Sequence, residues 1–200
     1  MTVDENFSDE LEAWLSSEGA KTLGALGEVF AEKSFAVTIL VLMFVPALPL
    51  PTGGITHVFE LITMVLAAQM MVGRTTIWLP ARWQRRELGP ATTGKAIPFM
   101  VRRVRWFERF SRPRAAWLFT RRWSRSLIGL LLFLLAVAAA VAPPFSGLDT
   151  LPSLGAVAVA LAIILEDVIV LVIGAALGAG GIVLEIILGA ALFEGISHFF

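Results

Sequence analysis

Two apolar runs, FAVTILVLMFV at 35–45 and LITMVLAAQMMV at 61–72, flank the proline- and glycine-rich stretch PALPLPTGGITHVFE. The same layout returns later, with apolar runs at 127–142 and 151–165 on either side of APPFSGLDT, and a fifth run follows at 168–184 between Asp167 and Glu185. Repeated runs of this length leave little polar surface. With 57% hydrophobic residues in 200, the bilayer is the expected solvent. The expected fold is therefore an all-α integral membrane protein with four or five membrane helices.

The 16 basic and 16 acidic side chains cancel in number but are segregated along the chain. Acids dominate residues 1–33, whereas 74–125 is strongly basic with only Glu87 and Glu108 against it. A basic block beside spans is retained on the cytoplasmic side. The acidic start does not read as a signal peptide. Cysteine is absent, which excludes disulfides, thiolate nucleophiles and thiolate metal sites.

Four segments follow. Residues 1–33 hold two amphipathic helices, over 8–19 (Leu11, Trp14, Leu15) and 23–33 (Leu23, Leu26, Val29, Phe30), expected on the membrane surface. Residues 34–73 form a first hairpin. Its opening run of a dozen residues reaches roughly 18 Å, short of a ~30 Å hydrocarbon core, so the break at Pro46, Pro49, Pro51, Gly53 and Gly54 is either re-entrant or interfacial. Residues 74–125 are a cytoplasmic linker with an amphipathic helix, and 126–200 a second hairpin, broken at Pro143 and Pro144, with a C-terminal helix whose end is an amphipathic tail.

The two hairpins share an order: short apolar run, proline break, longer apolar run, polar end. Duplicated halves with broken helices are the inverted-repeat plan of small transporters, in which freed backbone groups line the substrate site. Ordinary hairpins with proline turns in water would look similar. His57 and Glu60, three apart on one helical face, fall directly after the first break. Buried in the bilayer, such a pair marks a proton or substrate path and titrates as one unit; at the interface it is simply wet. Glu166 and Asp167 close the second half as Gln69 and Gly73 close the first. They serve as a cap or hinge, or one of them faces the first half's site. Gly174 and Gly178 give a small-residue face for helix packing.

In the basic segment, Arg102, Arg103, Arg105 and Arg109 interleave with Trp106, Phe107 and Phe110, and Trp117 and Trp123 follow. Beside membrane spans this pattern suits anionic lipid headgroups rather than nucleic acid. No phosphate loop, nucleophile elbow or HExxH occurs, and with two histidines a histidine metal site is not expected. Neither a cofactor nor enzymatic activity is expected.

The order PALPLPTGGITHVFELITMVLAAQMMVGRTTIWLP, RWFERFSRPRAAWL, APPFSGLDTLPSLGAVAVALAIILEDVIVLVIGAALG resembles the ExoD family of exopolysaccharide synthesis proteins over about residues 8 to 190. The resemblance implies a bacterial inner-membrane protein associated with exopolysaccharide production and of transporter-like build. Many members carry a less polar stretch after the first break, so the His57 and Glu60 pair is specific to this branch. Two functions are expected. One is a small transporter or flippase, proton-coupled through that pair and sharing its site within a homodimer. The other is a non-transporting adaptor that organises polysaccharide synthesis proteins through the basic segment.

Overall fold

The computed structural model describes residues 7–18, 20–29, 33–48, 55–85, 87–89, 92–143 and 146–197. These residues form ten α-helices and a π-helical turn, with no strand among them. In chain order the helices are α1 (Phe7–Ser16), α2 (Leu23–Val29), α3 (Ser34–Phe44), α4 (Ile55–Met71), α5 (Ala81–Gln84), α6 (Ile97–Phe110), α7 (Ala116–Thr120), α8 (Arg122–Val141), α9 (Thr150–Leu165) and α10 (Val168–Ser197). The π turn, Thr92–Ala96, runs directly into α6.

The expected apolar runs appear as α3, α4, α8, α9 and α10. Two of the described helices are long and apolar enough to cross a membrane: Arg122–Val141 and Val168–Gly189. The last run does not stop at Glu185. It continues without a break into the segment expected as a separate tail, because nothing between Val168 and Ser197 supplies a proline or a competing cap.

The bundle is arranged around α3, every residue of which is buried. α3 packs chiefly against α9, α4 against α8, and α9 also against α10. Exchanging the two hairpins, α3 for α8 and α4 for α9, turns the first contact into the second. That is the pattern of a two-fold axis running along the bundle. Both hairpins turn at the same end, since Lys33 before α3 reaches the Ile164 carbonyl at the close of α9 (2.8 Å) and Gly73 after α4 abuts Arg122 at the start of α8. An inverted repeat would place the turns at opposite ends, so that expectation is corrected.

The descending helices finish alike. After α4, Gly73 adopts φ +80° and the Arg74 amide donates back to the Gln69 carbonyl (3.0 Å). After α9, Glu166 adopts φ +52° and the Asp167 amide donates to the Ala162 carbonyl (3.1 Å). Each is a left-handed C-terminal closure. Glycine makes the first easy; a non-glycine residue in this conformation costs about 1–2 kcal/mol in the second.

The peripheral segments differ from expectation. α1 buries Leu11 and Trp14 and packs on α6, and α2 buries Leu23 and Leu26. Protein, not lipid, covers these faces. The basic segment carries its amphipathic helix as α6, which buries Met100, Val101 and Val104 but stops at Phe110; residues 111–114 lie outside any helix, and α7 is a short turn before α8. Pro113 accounts for the stop, because it lacks an N–H and pushes the preceding Arg112 out of helical conformation.

Candidate functional site

The first break begins inside the protein. α3 is about 16 Å long against about 30 Å for α8, and Val45, Pro46 and Ala47, which follow α3, are buried. Pro49, Pro51, Gly53, Gly54 and Pro144 lie outside the described residues; Pro143 is exposed at the end of α8. The first turns of α4 carry His57 and Glu60.

His57 Nδ1 lies 2.8 Å from Glu60 Oε2, as their spacing on one helical face allows. Glu60 is 0% exposed while the His57 side chain is 39% exposed, so the pair joins the bundle interior to its surface. A contact of this length needs one proton between ring nitrogen and carboxylate oxygen, whichever atom holds it. The other carboxylate oxygen, Oε1, is buried and has no hydrogen-bond partner among the described residues. An ionised carboxylate held this way is costly, since a buried charge needs both its partner and further hydrogen bonds.

Two more carboxylates gather at this end, neither of them anticipated from the sequence. Asp149, in the second break immediately before α9, lies within electrostatic range of His57 and Glu60, and also of Glu185 on α10. Glu185 sits about 26 Å along α10, level with the breaks, and its Oε1 is also buried without a partner among the described residues. Burial holds Asp149 above the ordinary carboxylate range, with its own amide, the positive charge of His57 and the Thr150 amide opposing the shift. Below Glu60, the hydroxyls of Thr63 on α4, Ser153 on α9 and Thr38 on α3 are buried and unpartnered among the described residues. Among the described residues, no group of three or more carboxylate and histidine side chains is arranged to hold a metal ion.

Glu166 and Asp167 belong to the opposite end. Glu166 stands 3.8 Å from Lys33. Asp167 is 1% exposed and fully engaged: Oδ1 accepts from the Ile169 amide (2.9 Å), capping α10, and Oδ2 accepts from Ser111 Oγ (2.9 Å), the Arg112 amide (3.3 Å) and Arg114 Nη1 (3.2 Å). Burial alone would raise its pKa, but these donors and the Arg114 charge outweigh it and hold the carboxyl below its usual range. Neither residue faces His57 and Glu60.

The arginines of α6 divide in role. Arg105 is paired with Asp9 (2.9 Å) and Glu12 of α1, which fastens the acidic N-terminal helix to the basic one. Arg102 and Arg103 are exposed and lie over the Phe99 ring, and Arg109 is exposed.

The family model described as "Exopolysaccharide synthesis, ExoD" matches residues 7–187, which takes in all of α1 to α9 and most of α10. The chain is also 26% identical over 199 residues to "Uncharacterized protein slr1875" of Synechocystis sp., an alignment covering 96% of this chain and 88% of that protein. No solved structure matches the chain. With the match running from the N-terminal helix through both broken hairpins, the chain belongs to the ExoD family, and its role is related to exopolysaccharide synthesis.

Proposed function

We propose that this ExoD family member is a small transporter or flippase of the bacterial inner membrane, crossing it with four or five helices and coupled to protons through His57 and Glu60. It carries an ion, a lipid-linked sugar or another amphiphile for exopolysaccharide synthesis, and it performs no covalent chemistry. One observation carries the reading: Glu60 is wholly buried in the first turns of α4, bonded among the described residues only to a half-exposed histidine, with its other carboxylate oxygen unpartnered among them. Intramembrane ionisable groups are expensive, and a group that moves a proton is a reason to keep one. The exposed apolar side chains of α8 and α10, among them Leu127, Leu134, Val172, Ile173 and Val183, suit a lipid-facing belt. A homodimer on a shared site suits a bundle this small.

The test is reconstitution into liposomes, following lumenal pH and the movement of a fluorescent lipid-linked sugar between leaflets. Wild type moves solute with a pH dependence, Glu60→Gln abolishes it while still inserting, and His57→Ala shifts it. Glu60→Gln indistinguishable from wild type from mildly acidic to alkaline pH sinks the coupling idea. A second reading is the adaptor. Trp106, exposed on α6 with Arg102, Arg103 and Arg109, and Trp117, exposed under the Arg121 guanidinium, favour a surface that holds anionic headgroups and synthesis proteins. An adaptor moves neither proton nor solute in the same liposomes.

A further inference from the structure

The end of the bundle opposite the proline breaks holds a cavity of about 280 Å³ where α3, α4, α7, α8 and α9 converge. Phe35, Met70, Phe119 and Ile128 form the apolar part of its walls, Thr120 and Glu166 add polar groups, and two cations stand on it, Lys33 and Arg125. Nothing in the transport reading uses them. Lys33 has three N–H donors; one goes to the Ile164 carbonyl (2.8 Å), and Glu166 at 3.8 Å takes up part of the remaining charge. The Arg125 guanidinium, a planar fork of five donors, engages no partner among the described residues, although its own helix holds the Arg125 backbone. Phe35 and Ala36, which also line the cavity, belong to the first turn of α3. That turn has no side-chain cap among the described residues, and the positive end of the helix dipole lies beside the same region.

Two cations and a helix start outweigh Glu166, the one carboxylate on this lining among the described residues, and the surplus is positive. An anion with several acceptor oxygens matches it, and the guanidinium fork favours phosphate. The apolar walls do not suit a free ion. At about 30 Å³ per water-sized group, the cavity has room for roughly nine such groups, a phosphate head and the first carbons of a chain. We propose that this cavity binds the head of a phosphate-bearing amphiphile, with Arg125 and Lys33 on the phosphate and Phe35, Met70, Phe119 and Ile128 around the start of its hydrocarbon chain. The proposal does not rest on transport, since an adaptor could hold the same ligand.

The experiment uses the full chain in nanodiscs of neutral phosphatidylcholine and reads thermal unfolding by tryptophan fluorescence, because a ligand of the folded state raises the midpoint. Dodecyl phosphate should raise the midpoint to a plateau. The half-saturating fraction should move up about tenfold in Lys33→Gln and further in Arg125→Gln, with Lys95→Gln, an exposed cation elsewhere, matching wild type. Arg125→Lys should recover part of the loss. Dodecanol and inorganic phosphate separate head from tail, and neither should reproduce the effect. The proposal is overturned if dodecanol matches dodecyl phosphate, if inorganic phosphate alone matches it, or if both glutamine variants titrate as wild type.

Discussion

At the scale of single residues, Glu60 and Asp167, the two fully buried carboxylates among the described residues, have opposite circumstances. Asp167 is satisfied on every side, and Glu60 is not. Asp167→Ala removes a helix cap and strands the donors of Ser111, Arg112 and Arg114, so it should cost about 2–4 kcal/mol, measured as a lower unfolding midpoint in detergent. Its pKa is lower in the folded protein than in the unfolded chain, so its ionised form contributes stability above the unfolded value of about 3.9. That contribution is lost as pH falls through the depressed folded value. The gap in midpoint between wild type and Asp167→Asn should be constant near neutrality and narrow below about pH 4. A gap that widens on acidification would contradict the assignment. The His57 and Glu60 contact was legible in the sequence because it is local, three residues on one helix. Asp149 and Glu185 were not, because they reach that end only through the packing of the second break and of α10. Glu185 was hidden further by the apolar run that ends at it, which reads as the end of a span.

Among the elements, four of the five apolar helices were legible to within about five residues from their runs and their proline boundaries, whereas α10 runs on to Ser197, well past the expected end at Leu184. The small-residue face on α10 was legible as well, and the structure supplies its partner. A Cβ at Gly155 on α9 would lie 2.5 Å from the Gly178 Cα, and one at Gly174 would lie 2.8 Å from the Val159 amide nitrogen. Backbone meets backbone there, so relief requires the helices to move apart. Gly155→Ala should therefore destabilise by about 1–3 kcal/mol. Gly180→Ala, on the same α10 but facing open space, should be neutral or stabilise by up to about 1 kcal/mol through helix propensity. Paired thermal melts of the two variants check this, and equal midpoints would contradict the close α9–α10 contact. What was illegible at this scale is which surface covers an amphipathic face. Leu11 and Trp14 of α1 have the spacing of a lipid-bound helix. The ion pairs from Arg105 to Asp9 and Glu12 and the hydrogen bonds that Ser8 donates to the Glu108 carboxylate, all joining residues about a hundred apart in the chain, show that α6 takes that face.

The whole molecule has two chemically distinct ends. One carries both proline breaks with His57, Glu60, Asp149 and Glu185; the other carries the basic segment, the Asp167 lock and the cavity under Lys33 and Arg125. In the membrane arrangement proposed above, the positive-inside rule puts the basic end in the cytoplasm and both breaks toward the opposite face. The parallel relation of the two hairpins was beyond the sequence, since a duplicated layout does not say whether the halves point the same way. The absence of native cysteine makes the arrangement directly measurable with single cysteines at Gly147, in the second break, and at Lys95, in the basic segment. With a membrane-impermeant maleimide on cells whose outer membrane alone is permeabilised, the Gly147 cysteine should label at once and the Lys95 cysteine only after the inner membrane is lysed. Labelling of both before lysis, or of Lys95 alone, would contradict a bundle that crosses the membrane with its breaks facing away from the cytoplasm.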